Sequence, residues 1–345
     1  MNSHFLLRSI FYFPILLTLL MACQGAEPET AVSQATIIPA AETATGTPTP
    51  TAIPSATPTH TATVMEMTAP TPTEEPTMTP TPEPAFTELL VIKNAPDALN
   101  APYGIAVDSS DNLFVFDAGN NRLLKFGSDG LLLQTWDTPG SGPGEFDSLG
   151  FGGLAIDAHD NLFVVDNGNF RIQKFDSAGK FVTQWGSEGR EDGQFKRAIG
   201  IAVDAVGNVY VTDDARPEVQ VFDNDGNFIR KWGSLGSGEG KFSHPTGIAV
   251  DADGNVYVAD YQNKRVQKFD QDGNFLLGWG MTVDDTGTPE GIGIDGNGRL
   301  YITDYDRARV EIYDADGGFI TAWEGGAGNH FNRPVAVAFD SLGNV

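Results

Sequence analysis

The stretch FSHPTGIAVDADGNVYVADYQNKRVQKFDQDGNFLLGWG, Phe242–Gly280, decides how the rest of the chain is read. It contains four short apolar runs: GIAVD, NVYVAD, RVQKFD and NFLLGWG. NVYVAD is apolar on consecutive residues, as expected of a strand covered on both faces. The clusters between runs, DADGN and DQDGN, suit tight hairpin turns. No helical period runs through the stretch. It predicts four short antiparallel strands, designated a to d from first to last.

The same unit recurs from Pro102 onward. The Asp that closes strand a falls at 108, 157, 204, 251, 295 and 340, in steps of 49, 47, 47, 44 and 45 residues. Tryptophans at 136, 185, 232, 279 and 323 keep this rhythm on strand d. A period in this range, with four strands per unit, predicts the blades of an all-β propeller. The Phe242–Gly280 unit resembles an NHL repeat, and the resemblance extends over all five full units. It implies a six-bladed β-propeller over residues 86–345, but no particular activity, since such scaffolds host unrelated functions.

A propeller ring is closed where its last blade meets its first. Residues 87–92, TELLVI, read as a strand d that lacks its own a, b and c. Val335–Asp340 reads as a strand a, followed by the opening of a strand b. The expectation is a sixth, incomplete closing blade, with the sequence truncated at its C-terminal end.

The first 85 residues have a different character. Residues 1–22 carry Arg8 and the apolar run IFYFPILLTLLMA, the layout of a signal peptide. That run is too short for a comfortable membrane span and is interrupted by Pro14. LMAC, ending at Cys23, resembles the lipobox of bacterial lipoproteins, which implies lipidation of Cys23. Cys23 is the sole cysteine, so disulfides and Cys-based metal sites are excluded. Residues 24–85 are Thr/Pro-rich, with too few apolar residues to build a core. With Cys23 they form a predicted disordered linker, 23–85, holding the propeller off the outer face of the cell membrane.

Charge narrows the function classes. The chain carries a formal charge of -25, and 20 basic against 39 acidic residues remain after Arg8 and the seven earlier glutamates are set aside. Such a domain lacks the basic footprint of a nucleic-acid binder. The strand order places the b–c and d–a connections on one rim of the propeller. There each unit begins its b–c turn with Asp117, Asp166, Asp213, Asp260 or Asp304, and four end in Arg122, Arg171, Arg265 and Arg309. Asp can cap the turn and Arg can pair with it. Alternatively, the arginines form a ring that recruits an acidic ligand. In the third unit Glu218 replaces the arginine, and Arg216 sits two residues earlier.

The residues preceding strand a share this rim: Arg197, His244, Pro289-Glu290 and His330 to Arg333. His244, the four arginines, and Asp117, Asp166, Asp260 and Asp304 are the candidate ligand-binding set. A catalytic zinc site wants several histidines, and His159, His244 and His330 fall out of register. No metal or other cofactor is therefore expected. The opposite rim carries DNDGN, DADGN, DQDGN and DADGG turns, but no full calcium loop with its distal Glu. Calcium there is supported only weakly. The tryptophans, and Phe146, Phe195, Phe242 and Phe331, are expected to pack within and between blades.

These readings favour a surface lipoprotein whose propeller binds an extracellular protein or small ligand. The alternative is a lyase or hydrolase using a divalent metal in the central channel. No Ser-His-Asp arrangement, phosphate loop or CxxC names a reaction.

Overall fold

The computed structural model describes residues 98–147, 150–281, 287–324 and 331–345. The signal peptide, Cys23, the Thr/Pro stretch and the TELLVI segment lie outside the described residues. Within them are five four-stranded antiparallel sheets, each in the order a, b, c, d. In the fourth blade the strands are Pro245–Val250, Val256–Asp260, Arg265–Phe269 and Phe275–Gly280. The expected all-β propeller architecture is present, with five blades.

Burial follows strand position. In blades two to five every residue of strand b is buried, because neighbouring sheets cover both faces. Strand d is outermost, and in blades two and three it alternates half-buried with exposed. The core therefore lies between blades. Phe163, Val165 and Ile172 of blade two meet Val209, Val211 and Phe222 of blade three. Phe195 and Phe242, in the connections between blades, are fully buried against Phe222 and Phe269. Burial of one such ring contributes roughly 2–3 kcal/mol.

The strand-d tryptophans fasten each blade to the next. Trp185 lies over Gly226, whose φ of +87° belongs to the left-handed region, and a Cβ there would sit 2.5 Å from the indole. Glycine is thus required twice over, by its backbone and by the ring above it. The same Trp-on-Gly contact joins Trp232 to Gly273 and Trp279 to Gly317. On the inner side, strands a crowd together: a Cβ on Gly247 would lie 2.4 Å from the Glu290 carbonyl oxygen of the next blade.

Val335–Asp340, the segment expected as a strand a, forms no ladder with another strand among the described residues. The segment is held by side-chain packing. Phe331, Val337 and Phe339 pack on Tyr301, Val310 and Ile312 of blade five. Its turn also touches blade one: Ser341 donates through N and Oγ to Asp111, at 2.7 and 2.9 Å. Ser109 of blade one donates to Asp160 of blade two in the same way.

Candidate binding site at the mouth of the central channel

The Asp/Arg pairs are set by strand register. In blade four Asp260 stands directly opposite Arg265, and in blade two Asp166 stands opposite Arg171. All of Asp117, Asp166, Asp260 and Asp304 are fully buried. Asp166 accepts from Asp147 N, Asn169 Nδ2, Gln173 Nε2 and Arg171 Nε, the last at 2.7 Å. Burial pushes its carboxyl above the ordinary range, against the pull of those bonds. The remaining donors of Arg171 reach Ser141 O, Gln184 Oε1, Gly142 O and Glu145 O. All five guanidinium donors are engaged, so none is left for a ligand. Arg265 likewise holds Asp260, Gly238 O and Lys241 O. Arg122 is buried on Asp117 at 2.7 Å, and Arg309 pairs with Glu311. Arg122, Arg171, Arg265 and Arg309, read either as partners of the turn carboxylates or as a ligand-facing ring, are each paired with a carboxylate of their own blade. Arg171 and Arg265 also brace the carbonyls of the protein's own loops.

Blade three gives its irregularity a structural meaning. Arg216 donates to Glu191 O and Gln194 O, loop carbonyls three residues apart. Arg171 and Arg265 grip carbonyls with that same spacing in their own loops. The displaced arginine therefore performs the same bracing and adds a 2.8 Å ion pair to Glu218.

The carboxylates of the opposite rim are occupied by their own turns. Asp251 Oδ1 accepts from Asp253 N and Asn255 N, and Oδ2 accepts from Asn255 Nδ2. At Asp223 the Asn227 side-chain amide is the main influence holding the carboxyl below its usual range.

The inner strands enclose a narrow bore walled by Ile105, Leu154, Ile201, Ile248 and Ile292, with a cavity of about 80 Å³. That admits a handful of waters. Tyr103 of blade one donates a hydrogen bond across it to Glu290 Oε1 of blade five. Burial, reinforced by the Asp214 charge, pushes the Glu290 carboxyl up to about 7 despite that bond. The Tyr103 phenol is pushed up by burial and then by Glu290.

Around this bar the rim repeats a backbone contact. The residue after the Asp of strand b donates to the residue before strand a: Asp214 N to Arg197 O at 3.0 Å, Tyr261 N to His244 O at 3.2 Å, and Tyr305 N to Thr288 O at 2.9 Å. Each of these blades thus presents two adjacent side chains beside the channel, and here the repeat varies. Asp214 Oδ2 lies 2.5 Å from Arg197 Nη2, and Oδ1 lies 2.7 Å from His244 Nδ1. Tyr261 and Tyr305 meet edge to face at 6.3 Å, with the Arg333 guanidinium 5.2 Å from the Tyr305 ring centre. Thr288 Oγ1 donates to Asp306 at 2.7 Å. Burial, then the Glu290 charge, pushes Tyr261 up to about 12. Three buried atoms here have no hydrogen-bond partner among the described residues: Asn167 Oδ1, Arg197 Nε and Asp214 Oδ1, the last lying 2.7 Å from His244 Nδ1. Asn167 Nδ2 bonds Ala198 O, one residue beyond Arg197.

Of the candidate set, only His244 faces this mouth, with half its side chain exposed. The strand order also places Arg197, Glu290 and Arg333 on this rim, as the structure does. Tyr103, Asp214, Tyr261 and Tyr305 belong to no motif, so sequence reasoning missed them. Their signal is variation: the position after the strand-b Asp reads Ala118, Asn167, Asp214, Tyr261 and Tyr305 while its neighbours repeat. Among the described residues, no three His, Cys, Asp or Glu side chains converge to hold a metal ion.

Residues 242–269 match the NHL repeat family. No curated protein matches the chain. Among solved structures, virginiamycin B lyase from Staphylococcus aureus, determined with quinupristin, shares 17% identity at a TM-score of 0.52, covering 69% of this chain and 74% of that one. A gluconolactonase from Xanthomonas campestris shares 20% identity at the same TM-score of 0.52, covering 70% and 80%. At these identities the likeness is one of fold.

Proposed function

We propose that this chain is an extracytoplasmic lipoprotein, anchored through Cys23 and spaced from the membrane by residues 24–85. Its NHL propeller binds a small ligand or an extracellular protein at the channel mouth. The observation carrying this reading is a break in repetition. Where five blades otherwise repeat buried Gly, Ile and Asp, the mouth concentrates Tyr103, Arg197, Asp214, His244, Tyr261, Glu290, Tyr305 and Arg333. We read the ring as six-bladed, with residues 331–345 in the sixth position, because Ser341–Asp111 repeats the Ser109–Asp160 contact between neighbouring blades.

The test is a ligand screen by thermal shift on the propeller and on a Tyr261→Ala/Arg333→Ala variant. Hits should vanish in the variant and survive Asp225→Ala on the opposite rim; the reverse pattern would overturn the assignment. Anchoring predicts that Cys23→Ala releases the protein into the medium, and retention in the membrane fraction would count against it.

A second reading is a lyase or hydrolase acting at the same mouth. It is favoured by Glu290, a carboxyl near 7 hydrogen-bonded to a phenol, which suits proton transfer at neutral pH. The divalent metal expected of such an enzyme finds no matching ligand cluster among the described residues, so this reading rests on Glu290 and Tyr103 alone. Turnover of any screened ligand that disappears in Glu290→Gln would establish it.

A further inference from the structure

We propose that the Tyr103–Glu290 bond is a pH-operated latch: it closes the bore while the Glu290 carboxyl keeps its proton and lets go when the carboxyl ionises. The bond spans the place between blade five and blade one. There Val335–Asp340 forms no ladder, so among the described residues the join is made through side chains. On the channel side it is Tyr103 with Glu290, and on the opposite rim it is Ser341 with Asp111. The inner end of the closing segment is part of the bore wall. A Cβ on Gly291 would lie 2.4 Å from the Val335 carbonyl oxygen, the same close approach that Gly247 makes to Glu290.

Glu290 is 6% exposed, and apart from Tyr103 every other described residue of the cavity wall is Gly, Ala, Val, Leu or Ile. An ionised carboxyl there meets no cation in the wall. Asp214 of blade three adds a like charge. Tyr261 of blade four and Tyr305 of blade five are phenols whose ionisation the Glu290 charge opposes. Blade two brings only Gly153 and Leu154 to the wall. The cations of the mouth are committed, Arg197 and His244 to Asp214 and Arg333 to the Tyr305 ring. A carboxylate without water or counter-ion is disfavoured, which outweighs the Tyr103 bond and holds the group at about 7. The latch is therefore made below that pH and released above it, with about nine-tenths protonated at pH 6 and about nine-tenths ionised at pH 8. The bore, at about 80 Å³, holds too few waters to hydrate the charge in place. The ionised side chain swings toward the mouth, and Tyr103 is unlinked. Ser341–Asp111 and the Tyr301–Phe339 ring contact, at 4.8 Å, stay as the hinge. Val335–Val337 then opens to water.

The test is thiol labelling of the full chain in a Cys23→Ser background, with N-ethylmaleimide as the uncharged probe. Val335→Cys reports on the bore wall, and Asp225→Cys, at an exposed position on the opposite rim, is the reference. The Val335→Cys rate divided by the reference rate should rise at least fivefold from pH 6 to pH 8. Adding Glu290→Gln, which leaves Tyr103 an uncharged acceptor, should hold the ratio at its pH 6 value at both pH values. Adding Tyr103→Phe should raise the pH 6 ratio toward that at pH 8. A ratio flat with pH, or an equal rise in Glu290→Gln, would overturn the latch. The unaltered chain gives a second check by carbon-13 NMR. The Glu290 carboxyl should titrate near neutrality together with the methyl groups of Val335 and Val337, and titration in the ordinary carboxylate range would overturn the proposal. The latch is independent of any ligand at the mouth, so the ligand screen above stands or falls separately.

Discussion

Blades four and five share the same Asp-to-Arg spacing on strands b and c, yet they use it differently. In blade four Arg265 Nε lies 2.8 Å from Asp260, and its Nη2 holds two carbonyls of the incoming loop. Gln267 completes the brace by bonding Gly240 N and Lys241 O. In blade five Arg309 Nε stands 3.8 Å from Asp304, and the guanidinium pairs with Glu311, which occupies the place of Gln267. Glu311 also accepts from Tyr313. The sequence step into blade five is 44 residues instead of 47, so the same motif meets a shorter connection. The comparison teaches that the strand-c residue two beyond the arginine reports its task. A glutamine, with a donor and an acceptor, clamps a loop, whereas a glutamate keeps the arginine at home.

The largest effect should come from Asp260→Ala. It removes a buried carboxylate from the half-buried Arg265 and from the side-chain amides of Asn263 and Gln267, at a cost of about 3 kcal/mol. Asp304→Ala, which loses a longer ion pair, should cost clearly less. Denaturant midpoints of the two variants measure the difference, and equal losses would break the comparison.

Blade five also supplies Glu290, whose effect depends on pH. Its folded pKa is raised to about 7 from 4.5, so the unfolded chain releases the proton first as pH rises. The native state then loses stability between about pH 4.5 and 7, by up to roughly 3 kcal/mol. Glu290→Gln should melt near the wild type at pH 4 and above it at pH 8. A constant gap across this range would contradict the assignment.

Next in size is the arginine pair. Arg265→Ala leaves loop carbonyls and Asp260 unsatisfied and should cost about 2–3 kcal/mol, against about 1 for Arg309→Ala. Arg171→Ala should follow Arg265. Hydrogen exchange of Gly240 N, in the loop that blade four braces, gives a local readout that should rise in Arg265→Ala.

The smallest effect is expected from Glu311→Gln, which gives blade five the side chain of blade four. Burial holds the Glu311 carboxyl above its usual range, so the change should cost under about 1 kcal/mol at pH 5 and become favourable as pH rises. Melting at pH 5 and pH 8 checks this sign.

Much of this architecture is legible in the sequence. The Asp and Trp steps specify the repeat, and the turn residues specify its four antiparallel strands. Phe195 and Phe242 are readable as inter-blade packing because they recur at a fixed distance before strand a. The arginines can be read two ways, since spacing gives the pairing partner but not the direction of the remaining donors. Blade three looks like an exception, because aligned repeats cannot show that Arg216 reaches equivalent carbonyls from another position.

The sequence by itself determined the local rules: period, strand order, turn chemistry and the pairing of Asp with Arg. These depend on residues close along the chain, where pattern is enough. The tertiary structure decided which side chains face the channel mouth. Tyr103 and Glu290 stand 187 residues apart and meet only because the ring brings blade one and blade five around one channel. Burial then moves the Glu290 carboxyl into the neutral range, a property of its enclosed position between blades rather than of any motif.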